Sequence, residues 1–324
     1  MSDIKLFKLA NGQARELQGS ASDLEKPLQT LIEANLDTLL RIRFLASEYS
    51  TGKTHAGRID SLGLDENNCP VILEYKRSLG ENVINQGLYY LDWLMDHQAD
   101  FQLLVLDKLG KLASEAIDWS APRVICIAAD FTKFDSHAVQ QIGRTIELIR
   151  YRRFAEDLLL LESASAGMDP SIRKGAARRQ ASVPARLETS AAGVVGVGTN
   201  KPTGPDKAFV DVLAALSAPL RQLLASLEDY TMSLGDDVER KELRLYVAFK
   251  RLKNFATVVI HKKHCLVLYL HIDPAPALHV LPNARDVTGI GHWGTGNLQV
   301  SISTLAELDA AKPFIVAAYA GQRD

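Results

Sequence analysis

Only three cysteines occur in 324 residues, Cys69, Cys126 and Cys265, and no short spacing pairs them. That excludes a disulfide framework and suits a reducing compartment. No apolar run approaches the roughly 20 residues that a membrane-spanning helix needs. The opening MSDIKLFKLANG has no signal-peptide core, so a cytoplasmic protein with no membrane partner is expected. Neither sign of charge dominates: a formal net charge of −2 excludes a chain that is basic throughout, while leaving room for local basic patches. No internal repeat is visible, which sets aside stacked-repeat architectures.

What is present is ordinary globular composition, 47% hydrophobic and 23% charged, in a chain long enough for two cores. Residues 1–163 alternate between strand and helix signals. Asn11-Gly12 marks a hairpin turn, and Pro27 suits the first turn of a helix running through LQTLIEANLDTLL. Strands are predicted at 41–48, 57–65 and 70–77, then an amphipathic helix over 81–97 with Ile84, Leu88, Leu91 and Met95 on one face. FQLLVLD (101–107) and RVICIAA (123–129) are continuous apolar runs that predict buried strands. A polar helix near Ser136–Leu148 and two strands up to Glu162 follow. Residues 164–205 lack any aromatic residue and are rich in Ala, Gly, Ser and Pro, which predicts a flexible linker. Residues 206–324 predict a smaller α+β unit: helices, a hairpin of FATVVI and CLVLYLHI, a strand at LQVSIS and a final helix.

One stretch, GRIDSLGLDENNCPVILEYKR (57–77), carries chemistry. A hairpin with its turn centred on Asn67 places Asp60 opposite Glu74, with Cβ atoms about 5 Å apart. Lys76 projects from the same face, as do Leu62, Leu64 and Ile72, while Tyr75 points to the other. Two carboxylates opposed on an apolar face are costly unless a cation lies between them. Oxygen ligands at this separation suit Mg²⁺ or Mn²⁺, which polarises a phosphodiester, and a neighbouring lysine can orient the attacking water. Glu74 and Lys76 would otherwise read as a solvated pair on an edge strand, and a one-residue slip in register would separate the carboxylates.

The stretch resembles the PD-(D/E)XK, or restriction-endonuclease-like, nucleases, and within them the NucS/EndoMS type, through GRID followed by VILEYKR. The resemblance covers about residues 23–162 and implies an α/β fold with a mixed sheet flanked by helices. It implies a Mg²⁺-dependent deoxyribonuclease with Asp60 and Glu74 as metal ligands and Lys76 as catalytic lysine. Gln86 matches a further catalytic position and Tyr90 an accessory one. Glu33 and Glu48 are additional candidates for acidic site residues, and Arg58 and Arg77 are candidates for phosphate contacts. DNA is the expected partner, RNA is not set aside, and a homodimer would suit a double-strand cut. The chain departs from that type in lacking its separate N-terminal DNA-binding domain. LYVAFKRLKNFATVVI and RDVTGIGHWGTG resemble instead an uncharacterised C-terminal domain family, sometimes labelled a predicted transport protein. The alternative reading is a non-catalytic nucleic-acid- or protein-binding module that keeps a nuclease-like fold.

Other signals are weaker. TGKT (51–54) lacks the earlier glycine of a phosphate-binding loop, because that position is Ser47. Gly289, Gly291 and Gly294 lead into a strand rather than the helix that dinucleotide binding requires. His261 and His264 have a spacing seen in zinc sites, but no cysteine or carboxylate cluster completes four ligands. The run holding Lys241, Arg244, Lys250, Arg251 and Lys253, with Tyr246, Phe249 and Phe255 interleaved, suits a nucleic-acid backbone and stacked bases. It also fits a solvated face beside a buried aromatic one.

Overall fold

The computed structural model describes residues 4–20, 25–76, 83–142, 145–155, 157–164, 208–261, 265–290 and 294–321. Arg77, His264, Gly291 and all of the predicted linker after Ala164 lie outside these residues. Asn11 and Gly12 both take positive φ (51° and 75°), the turn that suits a two-residue hairpin between β1 (Leu6–Ala10) and β2 (Gln13–Leu17).

The N-terminal sheet contains β3 (Gly19–Ser20), β4 (Ile42–Ser50), β5 (Arg58–Asp65), β6 (Pro70–Lys76), β7 (Arg123–Ala128), β8 (Thr145–Phe154) and β9 (Leu158–Ser163). Its order is β3-β8-β7-β6-β5-β4, with β9 also on β8. β6, β7 and β8 are parallel neighbours, whereas β4, β5 and β6 pair antiparallel, so the sheet is mixed. Helices α1 (Glu25–Ala34) and α2 (Leu36–Leu40) cover one face, and α4 (Val83–Asp96) and α5 (Gln98–Leu109) the other. A short α3 (Gly52–His55) sits between β4 and β5, α6 (Lys111–Glu115) follows α5, and α7 (Lys133–Gln141) joins β7 to β8. Side chains of β6 alternate as a strand's period of two requires. Val71, Leu73 and Tyr75 enter the core beneath α1 and α2, and Ile72 enters the core beneath α4.

Two expectations for this half are corrected. FQLLVLD is not a strand but the middle of α5: Phe101 and Val105 are buried one helical turn apart, while Leu103 and Leu106 are exposed. A continuous apolar run carries no period, so it cannot distinguish the two. The polar helix ends at Gln141, and Leu148 belongs to β8.

The C-terminal sheet has six antiparallel strands in the order β10-β11-β12-β13-β15-β14. They are β10 (Glu239–Glu242), β11 (Val247–Lys250), β12 (Asn254–His261), β13 (Cys265–Leu270), β14 (Ala284–Asp286) and β15 (Leu298–Ile302). One face is covered by α8 (Phe209–Ala214), α9 (Ala218–Met232) and α11 (Leu305–Ala320), with α10 (Ala275–Leu278) beside it. A capping box of Thr304 and Glu307 starts α11, and Gly321, at φ 73°, ends it. The first expected helix, the hairpin, the LQVSIS strand and the last helix are all present.

Part of the opposite face of this sheet is covered as well. Tyr246, Val259, Val267 and Tyr269 pack together with Cys69, from the turn between β5 and β6. The tip of the N-terminal hairpin is thus plugged into the C-terminal sheet. Tyr246 Oη and Asn254 Nδ2 donate to Asn67 Oδ1 at 2.9 and 2.8 Å, and the Asn254 backbone N–H donates to Glu66 Oε1 at 2.7 Å. Behind the turn lies a buried ion network. Arg123 meets Asp65 (3.3 Å) and Glu147 (3.4 Å), Lys250 meets Glu147 (2.7 Å), and Lys241 meets Asp65 (3.6 Å).

Candidate active site

The ladder between β5 and β6 pairs Leu64 with Pro70, Gly63 with Val71, Leu62 with Ile72 and Ser61 with Leu73. Its next step brings Asp60 to Glu74, and there the side chains take over from backbone pairing. The Asp60 backbone N–H donates to Glu74 Oε1 at 3.2 Å, and the Tyr75 backbone N–H donates to Asp60 Oδ2 at 3.0 Å. Glu74 is closed to solvent (0% exposed), and its Oε2 is buried with no hydrogen-bond partner among the described residues.

The electrostatics follow from that burial. Desolvation, with the Asp60 charge adding to it, pushes the Glu74 carboxyl up to about 9. Asp60 is raised as well, chiefly by burial, against the stabilising Tyr75 N–H. The positive charge of Lys76 favours the ionised form of both carboxylates.

Glu48 is in the same row. β4 and β5 pair Ser47 with Ser61 and Tyr49 with Ile59, which puts Glu48 opposite Asp60. It is held at φ 54°, a left-handed conformation in mid-strand that costs a non-glycine residue roughly 1–3 kcal/mol. Its carboxylate pairs with Lys26 (2.7 Å) and Arg58 (2.5 Å), and the Lys26 hydrogen bond lowers its pKa. Behind the row, α1 supplies a hydrogen-bonding residue that the sequence did not single out. Gln29 is only 4% exposed, and its Nε2 is 2.8 Å from the Asp60 carbonyl oxygen, 2.9 Å from Glu33 Oε1 and 3.2 Å from Ser47 Oγ. Glu33 accepts from Ser61 Oγ at 2.6 Å as well as from Gln29. A polar residue on the buried stripe with Leu28 and Ile32 was the available signal for Gln29.

Gln86 and Tyr90 come together on α4, Gln86 Nε2 donating to Tyr90 Oη at 3.3 Å. The same Oη accepts from the Arg58 backbone N–H at 3.2 Å, which ties α4 to the strand that carries Asp60. Gly57 permits this approach, because a Cβ there would stand 2.5 Å from the Tyr90 ring. Arg58 itself is exposed.

The basic run of the C-terminal half is placed differently from the expectation. Lys250 is 1% exposed and paired with Glu147, so it cannot meet a nucleic acid here. Arg251 is exposed and pairs with Asp237, and Lys253 Nζ donates to the Thr38 carbonyl oxygen at 2.9 Å. Tyr246, Phe249 and Phe255 are buried, which closes them to base stacking. Lysines of this run were legible as charges, but their carboxylate partners lie far away in sequence.

Among the described residues, no group of three or more His, Cys, Asp or Glu side chains is gathered as a metal shell. The pair of Asp60 and the unpartnered Glu74 Oε2 nevertheless suits a Mg²⁺-type ion, which keeps several waters and takes one or two carboxylates. No described helix is long and apolar enough to cross a membrane.

Residues 210–321 match the model of a family described as a domain of unknown function, DUF5655. A Haemophilus influenzae protein described as uncharacterised is 29% identical over 308 residues, spanning 94% of this chain and 96% of its own length. Two solved structures align with 40% of the chain at 17% identity. They are a repair endonuclease from Pyrococcus abyssi (TM-score 0.26) and an EndoMS–double-stranded DNA complex (TM-score 0.23). The alignments span 49% and 46% of those chains, about half of each.

Proposed function

We propose that this protein is a metal-dependent nuclease that hydrolyses DNA phosphodiester bonds at the Asp60–Glu74 pair. The observation that carries the proposal is the fully buried Glu74 carboxyl, set beside Asp60 with one oxygen unpartnered. Leaving such a group without a partner costs roughly 1–3 kcal/mol, a cost that ligation of a cation would remove. The resemblance of GRID and VILEYKR to PD-(D/E)XK nucleases points to the same chemistry.

Asp60 and Glu74 would hold Mg²⁺ or Mn²⁺. Such an ion stabilises charge on a phosphate oxygen and lowers the pKa of a nearby water. Lys76 orients the attacking water and offsets charge developing on phosphorus oxygens. Gln86, hydrogen-bonded to Tyr90, would be a further polar contact for the substrate, and the exposed guanidinium of Arg58, released from Glu48, would meet the strand's phosphates. Glu48, ionised and anchored by Lys26, adds negative charge to the cation site.

A second reading, a non-catalytic binding module, is favoured by one observation: Glu74 is pushed up to about 9 and is neutral at pH 7 in the metal-free protein. Purified protein is to be incubated with duplex, mismatched, branched and single-stranded DNA plus Mn²⁺ or Mg²⁺, beside Lys76→Ala. Cleavage by wild type alone supports the nuclease. Metal stabilisation without cleavage of any substrate supports the module, and no metal binding at all removes both the ion and the nuclease.

A further inference from the structure

A cleft of about 840 Å³ opens where the two sheets meet, at the opposite end of the β5–β6 hairpin from Asp60 and Glu74. Its walls come from α2 and β4 (Asp37, Thr38, Arg41, Arg43), from the hairpin turn (Glu66, Asn68) and from the C-terminal half, including Lys253, His271 and Thr295. The volume is that of a small-molecule site. Three basic side chains, Arg41, Arg43 and Lys253, line it from both halves of the chain. The acids facing it are Asp37 and Asp273, which are exposed, and Glu66, which burial raises to about 7.

Arg41 is the informative residue. It caps the C-terminus of α2 at φ 51°, the left-handed position that glycine ordinarily fills. Its backbone N–H reaches the Asp37 and Leu36 carbonyls, a cap that glycine would make without strain. The side chain lies between Glu66 (3.5 Å) and the His271 ring, with Nη1 2.9 Å from His271 Nε2. Strain of this kind persists where a side chain is needed in that place. Arg43 stands beside it, two residues along, donating to Asn68 Oδ1 at 2.6 Å. Forked guanidinium groups with an ammonium opposite match the geometry and charge of a phosphate monoester.

We propose that this cleft is a binding site for a phosphate monoester, gripped by Arg41, Arg43 and Lys253 across the junction of the two sheets. The proposal is independent of the nuclease reading. The monoester belongs either to a free mononucleotide or to the 5′ end of a nucleic-acid strand.

Thermal unfolding of the full chain, with calorimetric titration, tests the site against adenosine 5′-monophosphate, adenosine, and an oligothymidylate with and without a 5′-phosphate. At about 100 times its dissociation constant, a phosphorylated probe raises Tm by several degrees, and adenosine does not. Arg41→Gly keeps the left-handed cap, so the ligand-free Tm holds or rises while probe affinity falls at least about tenfold. Lys253→Ala lowers affinity in the same direction. Binding of the mononucleotide identifies a free ligand; binding only of the 5′-phosphorylated strand identifies a strand end. Equal binding of both oligonucleotides, no binding of any phosphorylated probe, or unchanged affinity in Arg41→Gly and Lys253→Ala would each overturn the site.

Discussion

Asp60 and Glu74 each bind the other's strand: the Asp60 N–H donates to the Glu74 carboxyl, and the N–H of Tyr75, next to Glu74, donates to the Asp60 carboxylate. The carboxyl groups close the end of a hairpin whose backbone pairing has stopped at Ser61 and Leu73. The acidic pair is therefore part of the fold as well as the candidate centre, and its substitutions act on both.

Metal binding should release a proton. Glu74 holds one up to about pH 9, and ligation requires the carboxylate. Mn²⁺ affinity is expected to rise about tenfold per pH unit between pH 6 and 8. Titration calorimetry in buffers of different ionisation enthalpy reads the proton directly. A buffer-independent heat would show that Glu74 is not a ligand.

The metal-free protein should lose stability as pH rises. The Glu74 carboxyl titrates near 4.5 when unfolded and near 9 when folded. Between those values the folded state holds a proton that the unfolded chain has lost, so rising pH favours unfolding. Glu74→Gln removes this slope and gains on the order of a few kcal/mol at pH 8. Urea unfolding at pH 5 and pH 8, with chelator present, measures both effects. Parallel slopes in wild type and variant would contradict the burial account.

Glu48→Gly separates function from stability. Glycine takes φ 54° without strain, so a gain of up to about 1 kcal/mol is expected, less what the Lys26 and Arg58 pairs contribute. Under the proposed function, Mn²⁺-induced stabilisation and DNA cleavage should fall by tenfold or more even so. Unaltered metal response would leave Glu48 as a strained structural residue with no part in the site.

The buried network between the sheets should be sensitive to losing one charge. Burial pushes Glu147 up, but Arg123 and Lys250 outweigh it and hold the carboxylate below its ordinary value. Glu147→Gln strands the buried Lys250 and leaves Arg123 with Asp65 alone, and is expected to cost about 3–5 kcal/mol. Lys250→Met combined with Glu147→Gln should recover part of that. Because the folded pKa is depressed, this contribution is present above pH 4.5 and is lost on acidification towards 2. Equal stabilities of the single and double variants in urea would mean that the charges are not coupled.

Much of the N-terminal half is legible locally. Asn11-Gly12 dictates its hairpin, and the alternation from Val71 to Tyr75 assigns faces, so the opposition of Asp60 and Glu74 follows from a turn centre and a period of two. FQLLVLD was illegible for the opposite reason, since uniform apolarity carries no period. Gln29, Ser47 and Ser61 are ordinary residues in sequence, made into a network with Glu33 only where α1 crosses the ends of β4 and β5.

The sequence by itself determined the β5–β6 hairpin, its register and the residue types at the candidate centre, because those depend on neighbours a few residues apart. Only the tertiary structure decided the environment of the charges. Lys250 looked like a solvent-facing cation and is buried against Glu147, 103 positions earlier. Glu66 and Asn67 read only as the polar turn of a hairpin and are covered by Tyr246 and Asn254. Burial and pairing set a charge's energy, and both are fixed by segments that meet only once the two sheets have docked.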